Sequence, residues 1–393
     1  MAEHNHSTDC VHGAPHDHAP GTPVAPSMVR STAFRLSDEV YRQRREGRDQ
    51  EADVYAREGN PTVRRVERHL AHLEGAEQAL LFASGMAALH GILMGTLAQG
   101  QNVVLAKQAY GGTASLVKAL LPRLGVELRL VDVFDLPGIE AALDAKTRVF
   151  ACEGISNPLT RVADLPRIAA LLDRLSPEGL LVVDGTMTSP AGQQPLAQGA
   201  DLVWHSASKY LAGHSDVIAG VVCGGAELLG EIHSWRSRAG GCLDPEAAWL
   251  LERGLKTLVL RLRAASQNGL AVARFLEQHA EVLRVDYCGL AGHPDEELVE
   301  QLVEHIGGLL SFVVKGGDER ALRLIRKLKI FTEAASLGGV ESLVTRPRDM
   351  SQSWLNEAER TAIGIPPGSL RLALGIEDAA DLVADLAQAF EES

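Results

Sequence analysis

No two cysteines of this chain lie close together and no C-x-x-C occurs: Cys10, Cys152, Cys223, Cys242 and Cys288 are odd in number and far apart. That excludes a disulfide framework and a zinc knuckle and points to a reducing, cytoplasmic setting. No apolar run reaches the roughly 18 residues of a spanning helix, and the N-terminus lacks the basic-then-apolar order of a signal peptide, so neither a membrane nor export is expected. Positive charge is in deficit as well. Lysine and arginine total 38 against 51 aspartates and glutamates, a net charge of −13 spread along the chain, which argues against nucleic acid as a partner. A length of 393 residues with 46% hydrophobic side chains is enough for a sizeable core and for two or three domains. The expectation is a soluble, acidic, globular protein.

Residues 1–27 carry almost no large apolar side chains and should not fold alone. His4, His6, His12, His16 and His18 with Cys10 are suitable metal ligands, but their spacing matches no structural site, so a flexible tail with at most adventitious metal binding is expected. No metal site is assigned.

From about residue 60 the apolar pattern alternates between helical and short extended periods. VRRVERHLAHLEG reads as an amphipathic helix ending at Gly75, ALLFAS as a strand or buried run, and SGMAALHGILMGTL as a helix. NVVLA, VELRLVD, RVFACE, GLLVVDG and ADLVWHS read as strands; SLVKALLPRLG and LPRIAALLDRL read as helices. Such alternation implies a mostly parallel sheet covered on both faces, with ligands beyond the carboxyl ends of its strands. The stretch from Asp244 to Ala280 is helical with a break near Gly254, and beyond it GGLLSFVVKGG, ALRLIRKLKIF, SLRLALG and DAADLVADLAQAFEE form a smaller α/β layer. The division expected is a tail over 1–27, an N-terminal arm over 28–60, a large domain over 61–255 and a C-terminal domain over 256–393.

Asp184 closes the run LLVVD, and Lys209 follows DLVWH after the hydroxyl-rich SAS, so an acid, two serines and a lysine should converge on one rim. Singly, each has an ordinary reading as a cap, turn or solvated residue. Together they match what a phosphorylated pyridine aldehyde requires: an amine for a Schiff base, an acid for the ring nitrogen, and hydroxyls with backbone amides for the phosphate. Ser84-Gly85-Met86-Ala87, opening a helix after a strand, offers free N–H groups and the positive end of a helix dipole to that phosphate.

These residues carry a resemblance. The chain resembles the Cys/Met-metabolism family of pyridoxal-phosphate enzymes, which includes cystathionine γ-synthase, cystathionine lyases, methionine γ-lyase and acylhomoserine sulfhydrylases. The matching stretches are YAREGNPT (55–62), FASGMAA (82–88), YGGT (110–113), CEGISNP (152–158), VVDGTMTSP (182–190), HSASKYLAGHSDVIAGVV (205–222), RGLKTLVLR (253–261), SLGGVESLVTRP (336–347) and SLRLALGIED (369–378). The resemblance implies the aspartate-aminotransferase-like fold of pyridoxal-phosphate transferases: a large, mixed, mostly parallel sheet domain and a smaller C-terminal α/β domain. It implies pyridoxal 5'-phosphate as cofactor, an amino acid as substrate, and a homodimer or homotetramer with shared active sites.

By the same resemblance Lys209 is the cofactor lysine and proton-moving base, Asp184 pairs with the pyridinium nitrogen, and Tyr110 stacks on the ring and protonates the leaving group. Gly85, Met86, Ser206 and Ser208 hold the phosphate, and Tyr55 and Arg57 reach the phosphate of the neighbouring subunit. Asn157 bonds the cofactor's phenolic oxygen or the substrate carboxylate. Arg371 clamps that carboxylate with Ser336 beside it. Plainer readings are a core aromatic for Tyr110 and a surface ion pair for Arg371. Glu153 is taken as structural, and His205, His214 and Trp204 as supporting neighbours. Cys152, Cys223, Cys242 and Cys288 read as buried thiols.

Four positions depart from the family pattern. Ala335 stands where cystathionine-handling members carry a glutamate, Gly112 where methionine γ-lyases carry a cysteine, Glu58 where a small or aromatic residue is usual, and Arg346 in place of a histidine. The expected activity is α,γ-elimination from a sulfur-containing or homoserine-type amino acid, with γ-replacement as the alternative. A different class, a silent relative acting as an interaction or metal-buffering protein, is disfavoured by the intact set of Lys209, Asp184, Tyr110 and Arg371. Glu58 is expected either to pair with a local arginine or to reach a partner's pocket.

Overall fold

The computed structural model describes residues 5–13, 23–46, 48, 53–353 and 355–393. Its larger sheet has seven strands: β1 (Gln78–Phe82), β2 (Asn102–Ala106), β3 (Glu127–Val131), β4 (Thr147–Glu153), β5 (Leu180–Asp184), β6 (Leu202–His205) and β7 (Gly220–Gly224). They lie in the order β1-β7-β6-β5-β4-β2-β3. β7 runs antiparallel to both its neighbours, and every other adjacent pair is parallel.

The central strands read as continuous apolar runs because both of their faces are covered. Leu105, Val149, Val182 and Leu202 point into one core with the helix Gly85–Thr96, while Val104, Phe150, Leu181 and Val203 point into another with the helix Leu165–Leu175. A one-residue register slip would exchange the two sets.

Helix ends follow local chemistry. Pro61–Glu74 starts at Asn60, whose side chain accepts from the N–H groups of Thr62 and Val63, and stops at Gly75 in the left-handed conformation. Val63, Val66, Leu70 and Leu73 line its buried face, and truncating such a residue as Leu70 to alanine costs about 2–5 kcal/mol. The helical stretch after Asp244 divides into Pro245–Leu255 and Leu258–Gln278, just past the expected break.

The second sheet contains β8 (Val282–Asp286), β9 (Leu309–Val314), β10 (Thr332–Glu333), β11 (Leu343–Thr345) and β12 (Ser369–Ala373), in the order β10-β11-β12-β9-β8. Among the described residues only β10 and β11 pair in parallel there. Leu310, Phe312, Leu370 and Leu372 pack there against Val272, Leu276 and Leu386 of the flanking helices.

The N-terminal segment departs from a flexible tail over part of its length. His6–His12 forms a helix, and Cys10, 2% exposed, inserts into the core that contains Leu258 and Val259. Asp9 anchors it: its carbonyl lies 3.0 Å from His69 Nε2 and its carboxylate 3.3 Å from His72 Nε2. Burial pushes the Cys10 thiol up to about 11, so it packs as an apolar group. His4, His16 and His18 lie outside the described residues. Among the described residues no three His, Cys, Asp or Glu side chains gather as a metal site, and no helix is long and apolar enough to cross a membrane.

Candidate active site

Five strands of the large sheet deliver their carboxyl ends to one rim. Ser84 and Gly85 follow β1, Tyr110 follows β2, Glu153 ends β4, Asp184 ends β5, and Ser206, Ser208 and Lys209 follow β6. The smaller domain closes the opposite side with Ser336 and with Arg371 of β12. Together with Met86, Asn157, Thr186, Trp204, Ile218, Ala335 and the segment 349–351, these residues line a cavity of about 420 Å³.

Lys209 is half-buried, and its Nζ donates to Ser336 Oγ at 2.9 Å. Burial, and next to it the positive charge of Arg371, hold its ammonium below the usual lysine range. Arg371 donates through Nη1 to Asn157 Oδ1 at 3.3 Å and through Nη2 to the Ser336 carbonyl at 2.9 Å. Among the described residues its Nε is buried without a partner. Burial brings its guanidinium down to about 10, a cost that a bound carboxylate would offset.

Asp184 accepts from both the N–H (3.0 Å) and the hydroxyl of Thr186, a turn that fixes the carboxylate at the strand end. The Thr186 hydroxyl in turn accepts from Ser206 N at 2.8 Å, which ties the β5 and β6 ends together. Burial raises the Asp184 carboxyl, opposed by the Thr186 bonds and by His205. His205 itself lies 2.5 Å from Glu74, and both side chains are buried.

At the β1 end, the Ser84 hydroxyl accepts from Ala87 N at 3.1 Å, while the first-turn N–H groups of Gly85 and Met86 have no partner within the helix. Gly85 permits a close approach: a Cβ there would lie 2.9 Å from Ser206 Cα. Ser208 lines the same pocket, but its hydroxyl is already engaged, accepting from Ala219 N at 3.0 Å and donating to Ala219 O at 3.3 Å. Tyr110 stands at the mouth, 45% exposed. Gly112 lets its ring lie where it does, since a Cβ would come within 2.4 Å of Tyr110 Cε1.

Tyr55 and Arg57 are not part of this cavity. Arg57 donates to the Ser237 carbonyl at 2.7 Å, with its guanidinium 5.6 Å from the Tyr55 ring, and Tyr55 is exposed. Glu58 pairs with Arg44 at 3.5 Å, as in the local-arginine reading. Cys152, Cys223 and Cys288 are buried and Cys242 is partly so.

The sequence reading assigned no role at the site to Thr186, Thr113 or the segment 349–351, and it set Glu153 aside as structural. The hydroxyl two residues beyond Asp184 and the lone charge closing RVFACE were signals; segment 349–351 offered none. A larger cavity, about 530 Å³, gathers Arg161 and Arg284, but both are already committed to carboxylates, Asp295 and Asp286.

The family model for Cys/Met metabolism PLP-dependent enzymes matches residues 7–391. The chain is 41% identical over 338 residues to the cystathionine gamma-lyase of Bacillus subtilis (strain 168), covering 86% of this chain and 88% of that protein. It is 39% identical to the chloroplastic cystathionine gamma-synthase 1 of Arabidopsis thaliana, over 86% of this chain and 60% of that one. A Campylobacter jejuni crystal structure containing N'-pyridoxyl-lysine-5'-monophosphate superposes with a TM-score of 0.92 at 30% identity, over 99% of this chain and 100% of the other. The chain belongs to the Cys/Met metabolism family of enzymes that depend on pyridoxal phosphate.

Proposed function

We propose that this chain is a carbon–sulfur lyase that removes a γ substituent from a sulfur-containing or homoserine-type amino acid, yielding a 2-oxo acid, ammonia and a thiol or other leaving group. One observation carries the reading: Lys209 and Arg371 meet on Ser336, so a proton-accepting amine and a carboxylate-binding guanidinium face the same space.

The residues fit pyridoxal phosphate. Asp184 is a half-buried carboxylate at the cavity wall, Lys209 is an amine below its usual range, and the Gly85–Met86 turn is a glycine-tight anion cradle. Asp184 would hold the ring nitrogen, Lys209 the aldehyde carbon, and Gly85, Met86, Ser206 and Ser208 the phosphate. Ser208 would have to contribute with a hydroxyl it already shares with Ala219. When bound, the cofactor supplies an electron-withdrawing ring that stabilises negative charge developed at the substrate's Cα and Cβ.

The protein's own groups do the rest. Arg371, braced by Asn157 and the Ser336 carbonyl, would fix the substrate's α-carboxylate in a two-pronged pair. Lys209 Nζ, its ammonium held below the usual range by burial and by Arg371, would take the proton from Cα and carry protons onward to neighbouring carbons. Tyr110 at the mouth would cover the ring and give a proton to the departing group. Where a thiol enters instead of water, the same residues would serve γ-replacement, the second reading, which the similarity to a gamma-synthase supports.

Tyr55 and Arg57, outside the chain's own cavity and on an arm with exposed Met28, Leu36 and Tyr41, would complete the site of a second copy, so the active unit is at least a dimer. The five free cysteines suit a cytoplasmic protein. Incubation of the purified protein with γ-substituted amino acids, with and without added thiol, followed by mass identification of products, tests the activity. A 2-oxo acid without thiol dependence supports elimination; product formed only with thiol supports replacement; no turnover of any member of the panel defeats both.

A further inference from the structure

Glu153 ends β4 beside Asp184, its register partner on β5, and is 8% exposed. Its carboxylate grips two backbone amides from different segments: Oε1 accepts from Tyr110 N at 2.7 Å and Oε2 from Asn157 N at 3.0 Å. Tyr110 opens the helix Gly111–Leu124, and Asn157 sits in the turn after β4.

From Asn157 the bonds continue without a gap. Asn157 Oδ1 accepts from Arg371, Arg371 donates to the Ser336 carbonyl, and the Ser336 hydroxyl accepts from Lys209 Nζ. One carboxylate therefore holds the aromatic wall at the mouth and the first link of a chain that ends at the lysine. Burial and the neighbouring Asp184 raise the Glu153 carboxyl, so a charged or polar side chain is kept here at a cost. An apolar residue of similar volume would fill the same space, but it would leave the part-buried Tyr110 N–H and the buried Asn157 N–H without acceptors.

We propose that Glu153 is a positioning residue that sets the separation between Tyr110 and the Asn157–Arg371 carboxylate site by bridging their two backbone amides. It acts through those residues and not by touching the substrate's reacting atoms. The inference rests on the functional reading above for what Arg371 and Tyr110 do, and on the hydrogen bonds alone for how they are held.

Two variants separate geometry from charge. Glu153→Gln keeps the shape but has one acceptor oxygen, and its amide nitrogen would face an N–H group, so one bridge is lost. Glu153→Asp keeps the charge but is one methylene too short to span both amides. The holoenzyme forms are compared with wild type by KM and kcat, by competitive inhibition with glycine as a carboxylate-bearing probe, by visible circular dichroism of the bound cofactor, and by melting temperature. In both variants KM and the glycine inhibition constant should rise by about tenfold to a hundredfold, as expected for misplacing a charge-assisted contact. The visible dichroism should change as the Tyr110 wall shifts, kcat should fall less than KM rises, and the melting temperature should stay near that of wild type. Combined with Asn157→Ala, the Glu153→Gln effect on glycine inhibition should shrink, because both act along one chain.

An unchanged inhibition constant and dichroism would overturn the proposal, as would wild-type behaviour of Glu153→Asp, which would make the role one of charge alone. Failure of both variants to fold, or a loss of melting temperature with unchanged inhibition by glycine, would reduce Glu153 to support of the fold. Wild-type protein that binds no cofactor would defeat the functional reading instead, before any variant is compared.

Discussion

Asp184 and Glu153 end neighbouring strands, and each has two hydrogen-bond donors fixed on its carboxylate, whereas across the same cavity Asp349 closes a short 3-10 turn and Met350 is 46% exposed. Ile218, 73% exposed, belongs with the second set. The inner wall is built on strands of the two sheets and the turns at their ends, and its groups are locked by backbone geometry. The outer wall is built from connecting segments whose side chains have room to be exchanged. Chemistry that needs a lysine, an acid and an arginine at fixed separations belongs on the first, and choice among substrate side chains on the second.

The difference can be broken most severely across subunits. If the arm completes a neighbour's inner wall, Lys209→Ala and Arg57→Ala chains should each be nearly inactive alone, and an equal mixture should regain roughly a quarter of wild-type activity, since half of its dimers are hybrids and each hybrid restores one of two sites. Activity measured after verified subunit exchange checks this; no recovery contradicts a shared site. Next in size is Arg371→Ala. Losing two charge-assisted bonds to a carboxylate should lower kcat/KM by about a hundredfold or more, mostly through KM.

The outer wall should respond by trading substrates. Ala335 supplies no charge, so cystathionine, with its distal ammonium, should be a poorer substrate than methionine or an acylhomoserine, and Ala335→Glu should raise its kcat/KM about tenfold to a hundredfold relative to them. Efficient turnover of cystathionine by wild type, unchanged by that substitution, would remove Ala335 from the account.

A pH effect sharpens the inner wall. Burial raises the carboxyls of both Asp184 and Glu153, above their ordinary 3.8 and 4.5. The folded, cofactor-free protein then holds protons that the unfolded chain has released, so these groups make stability fall as pH rises from those ordinary values through the raised ones. Glu153→Gln should flatten that fall, measured as the wild-type-minus-variant difference in denaturant stability across pH. The smallest effect is expected at Glu58: its pair with Arg44 is long and partly exposed, so Glu58→Ala should alter stability by less than about 1 kcal/mol and leave substrate choice unchanged.

What was legible in the sequence follows the same division. Buried parallel strands announce themselves as apolar runs, so β2, β4, β5 and β6, with Asp184 and Lys209 at or beyond their ends, could be placed without coordinates. The antiparallel β7, GVVCG, is as buried as they are, but it is short, glycine-flanked and preceded by no helix, so its direction was invisible. The docking of His6–His12 depends on a receiving surface made by helices Pro61–Glu74 and Leu258–Gln278, far along the chain, and a seven-residue segment with one inserted side chain carries no period to betray it. Glu153 shows a third limit. Its charge at the end of an apolar strand was plain, but its role lies in two backbone amides, which no side-chain pattern encodes.

We propose that the inner wall is organised around Lys209 as the residue that holds the cofactor. Borohydride reduction of the holoenzyme, followed by proteolysis and mass mapping, tests it directly. The pyridoxyl group should be found on the peptide containing Lys209, and its appearance on Lys107, Lys118 or Lys256 instead would contradict the account.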